Sequence, residues 1–139
     1  MSADGYILTN AHAVRGAHEI RVQMISHEAI VGSPKKPTEG HDLIATVIGI
    51  DAETDLAVIK VNRANFPFLT LGDSDELKQG QLVLALGNPL GLENSVSLGI
   101  VSAVARQLRP DDPRVYIQTD APINPGNSGG PLLDAAGRL

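Results

Sequence analysis

The sequence predicts an all-β chain folded as two lobes. Its apolar runs are short and rich in β-branched residues, and Gly, Pro, Asn and Asp separate them. No stretch holds a helical apolar period for three turns. A Pro- and Gly-punctuated segment near the middle, Asn62 to Gly80, reads as a connection between the lobes.

Taken in order, strands are expected at Tyr6 to Thr9, Ile20 to Met24, Leu43 to Ile50 and Leu56 to Val61 in the first lobe (residues 1–62). Residues 63–80 form the connection. Within it, Ser74-Asp75-Glu76-Leu77 is expected to make a single helical turn capped by Ser74 and ended by Gly80. The second lobe (residues 81–139) is expected to hold strands at Leu82 to Leu86, Val96 to Ala105, Tyr116 to Gln118 and Pro131 to Leu133. Ser26 to Asp42 and Leu108 to Arg114 read as loops, and no fixed-period repeat runs through the chain. Two β lobes joined by a crossover point to a site in the cleft between them.

Composition narrows the function. Hydrophobic residues make up 42% of the chain but aromatics only 3%, so the expected core is built from Val, Ile, Leu and Ala. A net charge of −5 argues against a nucleic-acid partner, which needs a basic surface. The one dense basic spot, Lys35-Lys36 between Pro34 and Pro37, reads as a solvated loop. Without cysteine there is no disulfide scaffold, thiol nucleophile or Cys-based zinc site. No apolar run is long enough to span a membrane, and the N-terminus lacks a signal-peptide pattern.

The chemistry centres on Gly126-Asn127-Ser128-Gly129-Gly130. Glycines around a serine let the chain turn sharply, expose the hydroxyl and aim backbone N–H groups at one point. The run also fits the G-x-S-x-G elbow of α/β-hydrolases, in which the acid and then the histidine follow the serine. Here the segment Gly129 to Leu139 holds no histidine, and the strand-to-helix pattern of the elbow is missing. That reading fails, so the base lies upstream.

Of His12, His18, His27 and His41, only His12 follows a strand and sits among small and apolar residues, where an imidazole can be held in one orientation. The other three lie in polar surroundings. His27, Glu28, Glu39, His41 and Asp42 match no metal-ligand spacing, so no metal or other cofactor is expected. The acid must fix the imidazole tautomer from the edge of a core. Asp55, opening the strand Leu56-Ala57-Val58-Ile59, is preferred over Asp51, which reads as a turn residue.

With those residues in place, the sequence resembles the HtrA/Deg family of trypsin-like serine proteases. The resemblance rests on Gly5-Tyr6-Ile7-Leu8-Thr9-Asn10-Ala11-His12 and Thr54-Asp55-Leu56-Ala57-Val58-Ile59-Lys60. It continues through Leu71-Gly72-Asp73-Ser74, Gly87-Asn88-Pro89-Leu90-Gly91 and the run from Gln118 to Leu132. It implies a two-lobe trypsin-like double β-barrel, each barrel six-stranded, and a catalytic triad of His12, Asp55 and Ser128. It firms up Asp55 over Asp51. It further implies an oxyanion hole from the N–H groups of Gly126 and Ser128, with Asn127 between them. Ile123 would line an S1 pocket for small or medium aliphatic residues. A neutral Asn127 cannot pair with a new N-terminal ammonium, so no zymogen-type activation is expected.

The implied function is a serine endopeptidase acting on unfolded or damaged polypeptides in the bacterial cell envelope or periplasm. Against the family pattern the chain is expected to be truncated at both ends, without a PDZ domain. A family-type homotrimer would need an N-terminal segment ahead of Met1. The residues after Leu133 read as a turn and the first residue of a returning strand, leaving backbone groups unpaired. Such losses favour an alternative, a non-catalytic peptide-binding or inert fragment.

Overall fold

The computed structural model describes residues 2–24, 42–88, 95–112 and 114–139. The expected loop before Asp42, with Lys35, Lys36, His27 and His41, lies outside the described residues, as does Pro89-Leu90-Gly91. The chain divides into two compact units, Met1–Pro67 and Phe68–Leu139, and the division falls inside the expected connection. All eight expected strands are present, their ends shifted by at most one residue.

In the first unit β1 (Tyr6–Asn10), β2 (Ile20–Gln23), β3 (Asp42–Asp51) and β4 (Leu56–Val61) form an antiparallel sheet ordered β1-β4-β3-β2. A one-turn helix, α1 (Ala11–Val14), follows β1 directly. β4 shows why these residues make a strand: Ala57, Ile59 and Val61 are buried, and the residues between them are more exposed. Those three pack with Ala11, Val14, Ala45 and Phe66 into one core. Phe66 adds an aromatic from the segment expected to be only a connection. β3 carries a bulge between Val47 and Gly49, which takes up one extra residue opposite β4. Val61 is fully buried at the centre of this core. Val61→Ala is therefore expected to destabilise the protein by about 2 kcal/mol, from lost apolar burial and the cavity left behind. The check is a lower denaturant midpoint at unchanged m-value.

In the second unit β5 (Leu82–Gly87), β6 (Ser95–Arg106), β7 (Tyr116–Thr119) and β8 (Leu132–Asp134) form a sheet ordered β7-β6-β5-β8. Val83, Ala85, Val101, Ala121 and Leu133 are its buried residues. The opposite face of β5 and β6 is apolar too, because Leu82, Leu84 and Leu86 stand directly across from Ile100, Leu98 and Val96.

Two details differ from expectation. The short 3-10 turn Ser74–Glu76 is capped by Asp73, whose carboxylate accepts the Asp75 N–H at 2.9 Å. An i→i+3 turn closes within three residues, so it ends at Leu77, and Gly80 serves the next turn instead. The returning arm after β8 is also paired. The Asp134 N–H donates to the Arg138 carbonyl at 2.9 Å, the Leu139 N–H to Thr70 O at 2.9 Å, and the Gly72 N–H to Leu139 O at 2.7 Å. The segment before the 3-10 turn supplies the partner that sequence alone did not show.

Candidate active site

Sheet register brings the first two candidate residues together. The end of β1 pairs with the start of β4, Asn10 opposite Leu56, so His12 just after β1 meets Asp55 just before β4. Asp55 then holds the start of α1 through four hydrogen bonds. Its carbonyl accepts from the Ala11 N–H at 2.9 Å and from Asn10 Nδ2 at 3.0 Å. Its Oδ1 accepts from the His12 N–H at 2.9 Å, and its Oδ2 stands 2.7 Å from His12 Nδ1. A helix leaves its first N–H groups without partners, and the cap residue Asn10 does not satisfy them with its own side chain. Asp55 does so from across the sheet. To reach them it adopts φ of +59°, a left-handed conformation that Asp tolerates better than most residues.

The His12 side-chain hydrogen bond, followed by the bond from the His12 N–H, holds the Asp55 carboxyl below the ordinary carboxylate value of 3.8. An ionised Asp55 only accepts, so Nδ1 of neutral His12 carries the proton and Nε2 keeps its lone pair. With 59% of the His12 side chain and 36% of Asp55 exposed, the pair adds little to stability as an ion pair. Its chief effect is orientation. Asp51, the competitor, is a turn residue: its carboxylate accepts from the Glu53 N–H at 2.9 Å and from Thr54 Oγ1 at 2.7 Å.

The other candidates belong to the second unit. The turn carrying Ser128 is closed by Asn127 N–H to Asn124 O at 3.1 Å and by Gly130 N–H to Asn127 O at 2.9 Å. Gly126 at φ of +105° takes a conformation that L side chains rarely adopt. Ser128 is exposed, and Ile123 is 62% exposed. Among the described residues the N–H groups of Gly126 and Ser128 have no hydrogen-bond partner, as donors for an oxyanion require. Asn127 differs: its Oδ1 is buried and unpartnered. A neutral amide suits that position, where an ionised carboxylate would be a buried unpaired charge. Among the described residues, His, Asp and Glu side chains nowhere gather as a metal site would require.

Sequence reasoning passed over two positioning groups. Asn10 fixes the Asp55 backbone, and its place immediately before a short helix was the available signal. Asp120 accepts the Ile100 N–H through Oδ1 at 2.7 Å, tying the approach to the Ser128 loop onto β6. Nothing in its spacing marked it.

Comparison with known proteins agrees with this arrangement. The family model of the trypsin-like peptidase domain matches residues 1–139. A protein of Halomonas elongata named a probable DegP-like periplasmic serine endoprotease is 49% identical over 139 residues, which is all of this chain and 27% of that protein. One of the same name in Chlamydia pneumoniae is 46% identical over 140 residues, covering 100% of this chain and 26% of that protein. Among solved structures, the HtrA-type protease AlgW with a decapeptide superposes with a TM-score of 0.84 at 47% identity, covering 100% of this chain and 39% of that one. The chain thus spans 27% and 26% of the length of these two curated relatives.

Proposed function

The chain belongs to the trypsin-like peptidase domain family, and from that premise we propose that it is the catalytic part of a serine endopeptidase of HtrA/DegP type. The observation that carries the reading is the His12–Asp55 pair, 2.7 Å apart and oriented by the hold of Asp55 on α1. Ser128 is the proposed nucleophile, His12 the base and Asp55 the orienting acid. The Ser128 hydroxyl oxygen forms a bond to the scissile carbonyl carbon while its proton passes to His12 Nε2. The Gly126 and Ser128 N–H groups donate to the resulting oxyanion. As the intermediate collapses, the C–N bond breaks and His12 returns the proton to the leaving amine, leaving an acyl-enzyme. Water, deprotonated by His12, then releases the acid and restores the serine.

The proposed substrates are extended segments of unfolded or damaged polypeptides, with a small or medium aliphatic residue facing Ile123. The peptide-bound state of the HtrA-type neighbour supports this class. A periplasmic location is proposed from the names of the relatives. No helix among the described residues is long and apolar enough to cross a membrane.

A fluorophosphonate probe tests the reading, because it modifies serine only where base and oxyanion hole are assembled. The expected result is one adduct per chain, mapped to Ser128 by mass spectrometry. A cooperatively melting chain that binds an extended peptide yet takes no label would replace the peptidase with a peptide-binding module.

A further inference from the structure

Gly87, the last residue of β5, has no role in the chemistry proposed above, yet the Ser128 loop rests on it. A Cβ added at Gly87 would overlap Asn127 Oδ1, and would lie 2.6 Å from its Cγ and 2.9 Å from its Cα. Nothing in the backbone demands glycine there, because Gly87 is not among the residues of positive φ. Space is the reason. One residue earlier, the Leu86 carbonyl would overlap any Cβ at Gly130, and the Leu86 N–H donates to Pro131 O at 3.0 Å. The end of β5 is therefore a platform touching the loop on both sides of Ser128.

From this packing we infer that Gly87 is a positioning residue for the oxyanion hole, acting through Asn127. The inference rests on the proposed peptidase reading. Asn127 has both backbone groups committed, its N–H to Asn124 O and its carbonyl to the Gly130 N–H. Its peptide planes accordingly set the directions of the flanking Gly126 and Ser128 N–H groups. The side chain forms no hydrogen bond through Oδ1, so packing against Gly87 is what fixes it. A methyl at residue 87 displaces Asn127 at its backbone as well as at the flexible amide end. The displacement passes into the two donors without touching substrate.

A double-mutant cycle on this chain tests the inference, using Gly87→Ala, Asn127→Gly and the pair. Gly87→Ala is expected to lower the rate of fluorophosphonate labelling and kcat on a peptide substrate by about tenfold to a hundredfold, with KM little changed, as loss of oxyanion-hole geometry should. In the Asn127→Gly background the same substitution should cost no more than about threefold, because the added methyl then meets only the backbone of residue 127. Wild-type labelling by Gly87→Ala, or an equal loss in both backgrounds, would overturn it. Should Gly87→Ala fail to melt cooperatively, the double variant decides. A restored melt with the labelling rate of Asn127→Gly supports the inference, and an unrestored melt overturns it. Failure of the wild-type chain to label would instead count against the peptidase reading. The inference is then read from the backbone amide resonances of Gly126 and Ser128, which must move in Gly87→Ala, and unmoved resonances reject it.

Discussion

Replacing Ser128 by alanine is expected to abolish fluorophosphonate labelling and to lower kcat for peptide hydrolysis by about 10⁶-fold. The size follows from the proposed division of labour. The hydroxyl oxygen is the only atom that becomes covalently bound, so without it His12 and Asp55 have no proton to move. The residual rate would come from binding and from the Gly126 and Ser128 N–H groups, which alanine leaves in place. Ser128 is exposed and has no hydrogen-bond partner among the described residues. The substitution should therefore leave the thermal melt nearly unchanged. Single-turnover kinetics beside a melting curve would check both halves. A Ser128→Ala chain that still hydrolyses peptide at a tenth of the wild-type rate would move the nucleophile elsewhere.

The second large effect is expected at Asp55. Asp55→Asn keeps the two hydrogen bonds accepted by the backbone carbonyl, from Ala11 and from Asn10. It also tolerates the φ of +59°, since Asn visits the left-handed region about as readily as Asp. What changes is the side chain. The amide oxygen can still accept the His12 N–H, but the amide nitrogen then faces His12 Nδ1 and donates to it. That moves the imidazole proton to Nε2, the atom that should accept from Ser128, and kcat should fall by about 10⁴-fold with the fold intact. Asp55→Ala should lose the same activity and melt lower, because α1 loses the acceptor for its His12 N–H.

The same carboxyl predicts a pH effect on stability. Hydrogen bonds from His12 lower its folded value below the ordinary 3.8. The unfolded chain therefore binds the proton first on acidification. The stabilisation is fully present above the ordinary carboxylate range and is lost as pH falls through the lowered value. The difference in melting temperature between wild type and Asp55→Asn should narrow over that acid window. A gap that stays constant into strong acid would contradict the hydrogen-bonded, ionised Asp55.

Strands were legible because period-2 burial is written into the residues. Ala57, Ile59 and Val61 alternate with exposed neighbours, and breakers such as Gly80 and Asn88 stop the pattern where the chain turns. The Ser128 loop was legible for a different reason. A sharp turn with free N–H groups needs glycines at fixed places, so its chemistry shows locally. Cap positions were less visible. Asp73 and Ser74 are both good cap residues, and only backbone geometry chooses between them.

The sequence by itself determined the all-β class, the strand positions and, with the family resemblance, a chain order that pointed to His12, Asp55 and Ser128. It could do so because periodicity, turn chemistry and chain order are properties of neighbouring residues. Only the tertiary structure decided what depends on residues far apart in the chain. It paired the end of β1 with the start of β4, so that Asp55 caps the helix that carries His12. It joined Leu139 to Thr70 and Gly72, and it set Gly87 beneath Asn127. Register and close packing bring such groups together, and neither is encoded in any one segment alone.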